Sequence, residues 1–185
     1  MIAWCISLLF LAAGADPVVP IRVAVFASAD ISDPLVDRIC AEAEAIWEPA
    51  GIAFEWRRIR SKDEAADWPL DVTIDDASVA AGALGWLTFS SDGPDRSVHL
   101  SRAWAEEMLR RSRVPPNITV ARHDTLVGRA LGRALAHELG HYFLRTKVHG
   151  PHGLMRAKWS ADESFGVSRD GFELTPEQRA AATRF

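Results

Sequence analysis

Residues 137–141 combine two histidines and a glutamate in a pattern that can bind and use a metal ion. The segment reads HELGH, so His137 and His141 are four positions apart and Glu138 stands between them. On a helix, residues four apart leave the same face one turn apart, so both imidazoles can reach one cation. Two such imidazoles suit Zn²⁺. Glu138 lies about 100° round the helix, where it can accept a proton from a metal-bound water instead of binding the metal.

The alternative to a metal site is that the HELGH pattern arose by chance and that its histidines are buried in the core without a metal. The metal site is favoured because the motif lies in the strongest helical pattern of the chain. The sequence TLVGRALGRALAHELGHYFL, residues 125–144, carries apolar side chains at three- and four-residue spacing. We predict a long helix here, with Asp124 as its N-cap. A catalytic zinc takes three protein ligands, so one more must follow, and His149 and His152 are the next histidines.

The segment from His137 to Met155 resembles the active-site region of metzincins, zinc metallopeptidases with the pattern HExxHxxGxxH and a methionine-containing turn. The resemblance implies a zincin-like α+β fold. Its parts would be a mixed sheet of about four to five strands, a long active-site helix, a Met-turn and a C-terminal helix. The chain departs from the pattern at two positions, because Leu144 and Lys147 stand where the family has glycine and histidine. The loop before the third histidine would therefore be longer here.

The resemblance implies that Met155 is the Met-turn residue, and chain length then helps to choose the third ligand. Five residues separate His149 from Met155, whereas only two separate His152 from it. His149 is therefore favoured, because the chain needs room to pass beneath the metal. Asp162 and Glu163 are alternatives, by resemblance to zinc peptidases with an acidic third ligand.

Two further residues are weaker candidates for polarising the scissile carbonyl, His152 and Arg156. Some metzincins carry a tyrosine just after the Met-turn for this purpose, and Arg156 and Ala157 stand there instead. The segment GALGWLTFS, residues 82–90, would by the same resemblance be an edge strand above the cleft. Such an edge can pair with an extended peptide.

Sequence patterns also predict the elements that position this site. Alternating and β-branched segments predict five strands, at residues 21–27, 51–59, 70–74, 84–89 and 97–101. Ser32 or Asp33 would cap a first helix, Ser101 a second, and Thr175 a short C-terminal helix that begins with Pro176. The three glycines of the long helix are costly there, so we expect a neighbouring element to pack closely against it.

The N-terminal sequence MIAWCISLLFLAAGA, residues 1–15, has the apolar core and small-residue end of a secretory signal peptide. It is shorter than the roughly 20 residues that span a bilayer. Residues 16–185 then form a single domain with one cysteine, Cys40, which excludes an internal disulfide. We therefore expect a secreted or periplasmic protein.

Charge and motif together define the expected function. The net charge of −4 without long runs of one sign indicates neither nucleic-acid binding nor membrane binding after signal cleavage. We expect a secreted zinc-dependent metallopeptidase that acts on peptides or proteins, with Glu138 as general base. One alternative is a non-catalytic binding module stabilised by zinc, which would favour a closed site with both His149 and His152. Another is a zinc hydrolase of non-peptide amides.

Overall fold

The computed structural model describes residues 19–79 and 82–183, so the predicted signal peptide lies outside the described residues. This part of the chain is an α+β domain with a five-stranded mixed sheet, which confirms the predicted fold class. The strands are β1 (Ile21–Ala27), β2 (Phe54–Ile59), β3 (Leu70–Asp75), β4 (Gly85–Ser90) and β5 (Gly93–Ser101). The helices are α1 (Asp33–Trp47), α2 (Arg102–Arg111), α3 (Val120–Phe143), α4 (Ala161–Phe165) and α5 (Pro176–Ala182). Among these described helices, none has the length and apolarity to cross a membrane.

The sheet order is β2-β1-β3-β5-β4. Strands β2, β1, β3 and β5 are parallel, and β4 runs antiparallel to β5 at one edge. Because β4 pairs only with β5, its other side offers backbone groups to the space above α3. The edge strand expected over residues 82–90 is thus present as β4.

Helices α1 and α3 pack closely together, and the glycines of α3 explain how. A Cβ at Gly132 would lie 2.6 Å from the Glu42 Cβ, and one at Gly128 would lie 2.8 Å from the Arg38 Cβ. Only glycine permits this approach. The fully buried Trp47 of α1 donates a 3.1 Å hydrogen bond from Nε1 to the carbonyl oxygen of Ala136. This contact holds α1 against α3 at the start of the HELGH motif.

The structure differs from the sequence predictions at several element boundaries and in one short helix. Helix α3 begins at Val120 with Thr119 as its N-cap, not after Asp124, because the Thr119 hydroxyl accepts from the backbone N–H of Arg122. The first turns of α3 are exposed, so hydrophobic periodicity marks the helix only further along. Strand β5 begins at residue 93 rather than 97 because its pairing with β4 continues to the hairpin turn. The short helix α4 was not predicted, and a capping box between Ser160 and Glu163 starts it.

Candidate metal centre

Helix α3 presents His137 and His141 towards the interior, and a backbone carbonyl orients each ring. His137 Nδ1 lies 2.8 Å from the Leu154 oxygen, and His141 Nδ1 lies 2.7 Å from the Thr146 oxygen. A carbonyl can only accept, so each Nδ1 carries the proton and donates it. Each Nε2 is therefore left with a lone pair for a metal, which is the usual arrangement of histidine ligands.

The two Nε2 atoms face each other at 3.0 Å, and His149 completes the group. Ligand atoms of His137, His141 and His149 all lie within 4.8 Å of one another. Two lone pairs pointing at each other across 3.0 Å repel unless a cation or proton lies between them. Three converging imidazole nitrogens therefore fit Zn²⁺, which binds such nitrogens at about 2.0–2.1 Å.

The loop after α3 brings His149 back to the helix. The reversal occurs at Arg145, which has a left-handed backbone with φ of 48°. This conformation is uncommon for a residue with a side chain. The Arg145 guanidinium donates a 2.6 Å hydrogen bond to the carbonyl oxygen of Asp92, in the turn between β4 and β5. The hairpin thus holds Arg145 in a backbone conformation that glycine adopts more readily.

Met155 lies beneath α3 at the level of the motif and is almost fully buried. The segment that carries it closes on itself, because the Gly150 N–H donates a 2.7 Å hydrogen bond to the Met155 oxygen. Leu154, which precedes Met155, supplies the carbonyl that orients His137. The methionine segment therefore sets the orientation of one of the three histidines.

Burial controls the charge of the groups at this site. It lowers the pKa of His137 to about 4, with smaller effects in the same direction from His141 and His149. Burial also lowers the pKa of His141. Both rings are therefore neutral near pH 7, which is the form that binds a metal. Burial raises the pKa of Glu138 to about 8, so this carboxyl can hold or release a proton near neutral pH.

An open cleft of about 820 Å³ contains Glu138 and the three histidines. Strand β4 forms one wall, and Gly85 of that strand is so close that a Cβ there would lie 3.1 Å from the Glu138 Cγ. The indole ring of Trp159 stands edge-on to the His137 ring at 5.0 Å between centroids and stacks on Phe172 at 5.1 Å. Sequence reasoning did not single out Trp159 for the site, because scattered tryptophans usually belong to a core.

The remaining candidates lie apart from the three histidines. His152 lines a separate cavity of about 650 Å³ beside α5. Arg156 donates a 2.6 Å hydrogen bond to Glu163 Oε1, and Glu163 also caps α4. Among the described residues, neither Asp162 nor Glu163 joins the metal-binding group. The structure thus brings Glu138 and Met155 to the three histidines and leaves His152 and Arg156 elsewhere.

Two backbone groups that orient the histidines, the carbonyls of Thr146 and Leu154, have no sequence signal at all. Every residue carries a carbonyl, and only the fold determines which one meets an imidazole. These two interactions could therefore not have been predicted from residue types.

No protein-family model matches this chain, and no curated protein matches it. Among the solved structures that share its fold are the following two. Archaemetzincin from Methanopyrus kandleri is 15% identical with a TM-score of 0.56, over 89% of this chain and 94% of that chain. A zinc-dependent peptidase from Methanocorpusculum labreanum (strain Z) is 11% identical with a TM-score of 0.57, over 86% of this chain and 99% of that chain. At these identities the similarity establishes the fold.

Proposed function

We propose that this protein is a zinc-dependent peptidase whose metal is held by His137, His141 and His149. The observation that carries the proposal is the group of three imidazoles beside the Glu138 carboxyl in an open cleft. Three protein ligands leave a coordination position free for water, as in catalytic zinc sites, whereas structural sites use four. When bound, Zn²⁺ supplies a Lewis acid that lowers the pKa of a coordinated water from about 15.7 towards 7.

Glu138 acts as the proton carrier in this proposal. One of its carboxylate oxygens takes a proton from the attacking water and later gives it to the nitrogen of the leaving amine. Both transfers are easiest when the pKa of the carrier is near the working pH, and burial moves the pKa of Glu138 in that direction. His137 and His141 stay neutral and keep their orientation through Leu154 and Thr146.

A peptide is the natural substrate for this cleft because of β4. An exposed strand edge binds an extended peptide through backbone hydrogen bonds. The cleft is lined by four residues of β4, which are Gly85, Trp86, Leu87 and Phe89. One of the solved structures that share this fold is described as a zinc-dependent peptidase, which supports the same substrate class. In this scheme Met155 is the Met-turn residue that supports the metal site from below.

We propose further that residues 1–15 direct export and that residues 16–185 act as a single domain in the periplasm or medium. The buried thiol of Cys40 supports this, because burial raises its pKa to about 12 and keeps it unreactive under oxidising conditions. N-terminal sequencing of the protein from the exported fraction should find Asp16 as the first residue. An N-terminus at Met1 in that fraction would contradict the proposal.

The zinc-stabilised binding module is less well supported. It favours a closed four-ligand site, and His152, the histidine that would close it, lies in a different cavity. The three-histidine group instead lines the same cleft as Glu138, where a metal held by these three residues would be open to a substrate.

The proposal is tested by incubating purified zinc-loaded protein with a diverse peptide library and identifying new termini by mass spectrometry. We expect cleavage that a chelator abolishes and added Zn²⁺ restores. Folded, zinc-loaded protein that cleaves no peptide would overturn the proposal. In that case, activity on simple non-peptide amides would support the amide-hydrolase alternative.

A further inference from the structure

Two of the three lysines in the sequence line the candidate active-site cleft. They are Lys147 and Lys158. The third, Lys62, lies against Phe26, on the opposite face of the sheet from the main core. Arginine supplies all other side-chain cations of the chain apart from histidine, and no arginine is among the described residues that line the cleft.

The two lysines occupy different parts of the cleft wall. Lys147 stands in the loop between His141 and His149, and its Nζ lies 5.0 Å from the centroid of the Phe89 ring. Phe89 belongs to β4 and lies edge-on to His141 at 6.5 Å. A cation over an aromatic face is attracted to it, so this ammonium is held near the metal ligands.

Lys158 comes from the segment that follows Met155. It directly precedes Trp159, whose ring contacts His137. Both lysine side chains are exposed, so each ammonium can move to meet a bound ligand.

The charge in the cleft is opposite to the charge of the whole protein. The chain has 25 acidic and 21 basic residues besides histidine, yet Glu138 is the only acidic residue among the described residues that line the cleft. The cleft therefore has two lysines against one carboxyl group, and an excess of one sign of charge concentrates ligands of the opposite sign.

We propose that Lys147 and Lys158 determine specificity by selecting peptides that carry a carboxylate near the scissile bond. This inference rests on the proposed peptidase function. The carboxylate can belong to an aspartate or glutamate side chain or to the C-terminus of the substrate, since both offer the same anionic oxygens. Exposed ion pairs are weak and are screened by salt, so each lysine contributes about a two- to fivefold preference at low ionic strength.

The experiment compares three peptides that differ only in charge. A peptide cleaved in the library assay is synthesised with its acidic residue, with the corresponding amide residue, and with an amidated C-terminus. For each, kcat/KM is measured at low and high salt with the wild type and with Lys147→Ala, Lys158→Ala and Lys62→Ala. Lys62→Ala is the matched control, because Lys62 also lies over an aromatic ring but outside the cleft.

A second readout does not depend on turnover. The same peptides carry a fluorophore, and their binding to the zinc-loaded Glu138→Gln variant is measured by anisotropy. Removing the relevant carboxylate should weaken binding about two- to tenfold, and the loss should shrink at high salt. Weaker binding of the peptide with the amide residue would show that the lysines recognise a side-chain carboxylate. Weaker binding of the peptide with the amidated C-terminus would show that they recognise the C-terminal carboxylate.

The outcomes separate this inference from the function on which it rests. The inference is supported if Lys147→Ala or Lys158→Ala shows a smaller difference in kcat/KM between the peptides with and without the carboxylate, while Lys62→Ala behaves like the wild type. Equal kcat/KM and equal binding for all three peptides would overturn it while leaving the peptidase function intact. An absence of zinc-dependent cleavage of any library peptide would overturn both.

Discussion

Gly140 and Met155 meet so closely that no side chain fits between them. A Cβ at Gly140 would lie 2.3 Å from the Met155 Sδ, well inside van der Waals contact. Gly140 lies directly before His141 on α3, and Met155 lies directly after Leu154, whose carbonyl orients His137. This contact therefore fixes the distance between the helix that carries His137 and His141 and the segment that orients His137.

We expect Gly140→Ala to destabilise the protein and weaken zinc binding. The new methyl group must push Met155 away, and overpacking of this kind costs about 1–3 kcal/mol. Gly150→Ala is the matched control, because a Cβ there would make only ordinary contacts, the nearest at 3.5 Å. Chemical denaturation and zinc titration of both variants test the expectation. Equal effects of the two substitutions would show that the close Gly140–Met155 contact has no particular influence on stability or zinc affinity.

His149→Ala and His152→Ala should differ sharply in zinc affinity. His149 lies in the three-histidine group, and His152 lines a separate cavity. Mutation of a residue that only orients a metal ligand typically weakens metal affinity about 10- to 100-fold. Loss of a ligand itself should weaken zinc binding by at least as much. His152→Ala should bind zinc like the wild type. Competition with a chromophoric chelator measures both constants, and a strong effect of His152→Ala would reassign the third ligand.

The metal-free protein should lose stability relative to the metal-free Glu138→Gln variant as the pH rises. Burial raises the pKa of Glu138 from 4.5 to about 8 in the folded protein. Because the folded protein binds this proton more tightly than the unfolded chain does, protonation of Glu138 stabilises the fold. This stabilisation is complete below about pH 4.5 and is lost as the pH rises through 8. At one pKa unit per 1.36 kcal/mol, the relative loss amounts to about 3–5 kcal/mol. The effect of the buried histidines is shared by both proteins and cancels.

Denaturation curves of the two metal-free proteins between pH 4 and pH 9 measure this difference. Parallel curves would show that Glu138 ionises in the fold as it does in water. That result would contradict the buried environment assigned to this carboxyl.

Substitution of Arg133 should strongly destabilise the protein, although its hydrogen bonds go to none of the three histidines of the candidate metal centre. Its guanidinium is 1% exposed, and it donates to Glu42 Oε1 at 2.9 Å and to the carbonyl oxygens of Gly166 and Ser168 at 3.0 and 2.7 Å. Arg133→Met would leave the Glu42 carboxylate with Arg169 as its remaining cationic partner, and it would take this donor from the carbonyl oxygens of Gly166 and Ser168. A buried acceptor that loses its partner costs about 1–3 kcal/mol, so we expect a total loss of about 2–6 kcal/mol.

Arg110→Met is the control for that substitution. Arg110 forms a pair with Glu107 at the surface, and such pairs contribute about 0–1 kcal/mol. Thermal unfolding of both variants gives the comparison. A small effect of Arg133→Met would show that α1, α3 and the segment after α4 are held together by apolar packing alone.

The fold class and the grouping of His137, His141 and His149 could be predicted from the sequence, because both depend on periodic or chemically distinctive residues. The catalytic roles assigned to this group stay predictions. Strand β1 lies where alternation placed it, and Thr175 caps the last helix as expected. The predicted α+β class is confirmed. Met155 lies beneath the helix, and His149 rather than His152 lies with the other histidines, as chain length had favoured.

Features that depend on three-dimensional proximity were not predictable. Arg145 adopts a left-handed backbone conformation, which glycine usually adopts. The hydrogen bond from its guanidinium to the Asp92 carbonyl oxygen, in the hairpin between β4 and β5, holds it there, and this contact has no sequence signal. Helix α3 starts earlier than expected because a cap at Thr119, not an apolar residue, defines its first turn. The burial of Arg133 has no sequence signal, because its partners lie 30 or more residues away in the sequence.

The central claim is that Glu138 moves the proton in a zinc-dependent hydrolysis. The most direct test is the kcat/KM of Glu138→Gln on a peptide that the wild type cleaves, with bound zinc measured in the same sample. Glutamine has nearly the same shape but cannot accept the proton, so we predict about one zinc per chain and a loss of at least 100-fold in kcat/KM. Undiminished hydrolysis by a zinc-loaded, folded Glu138→Gln variant would contradict the account.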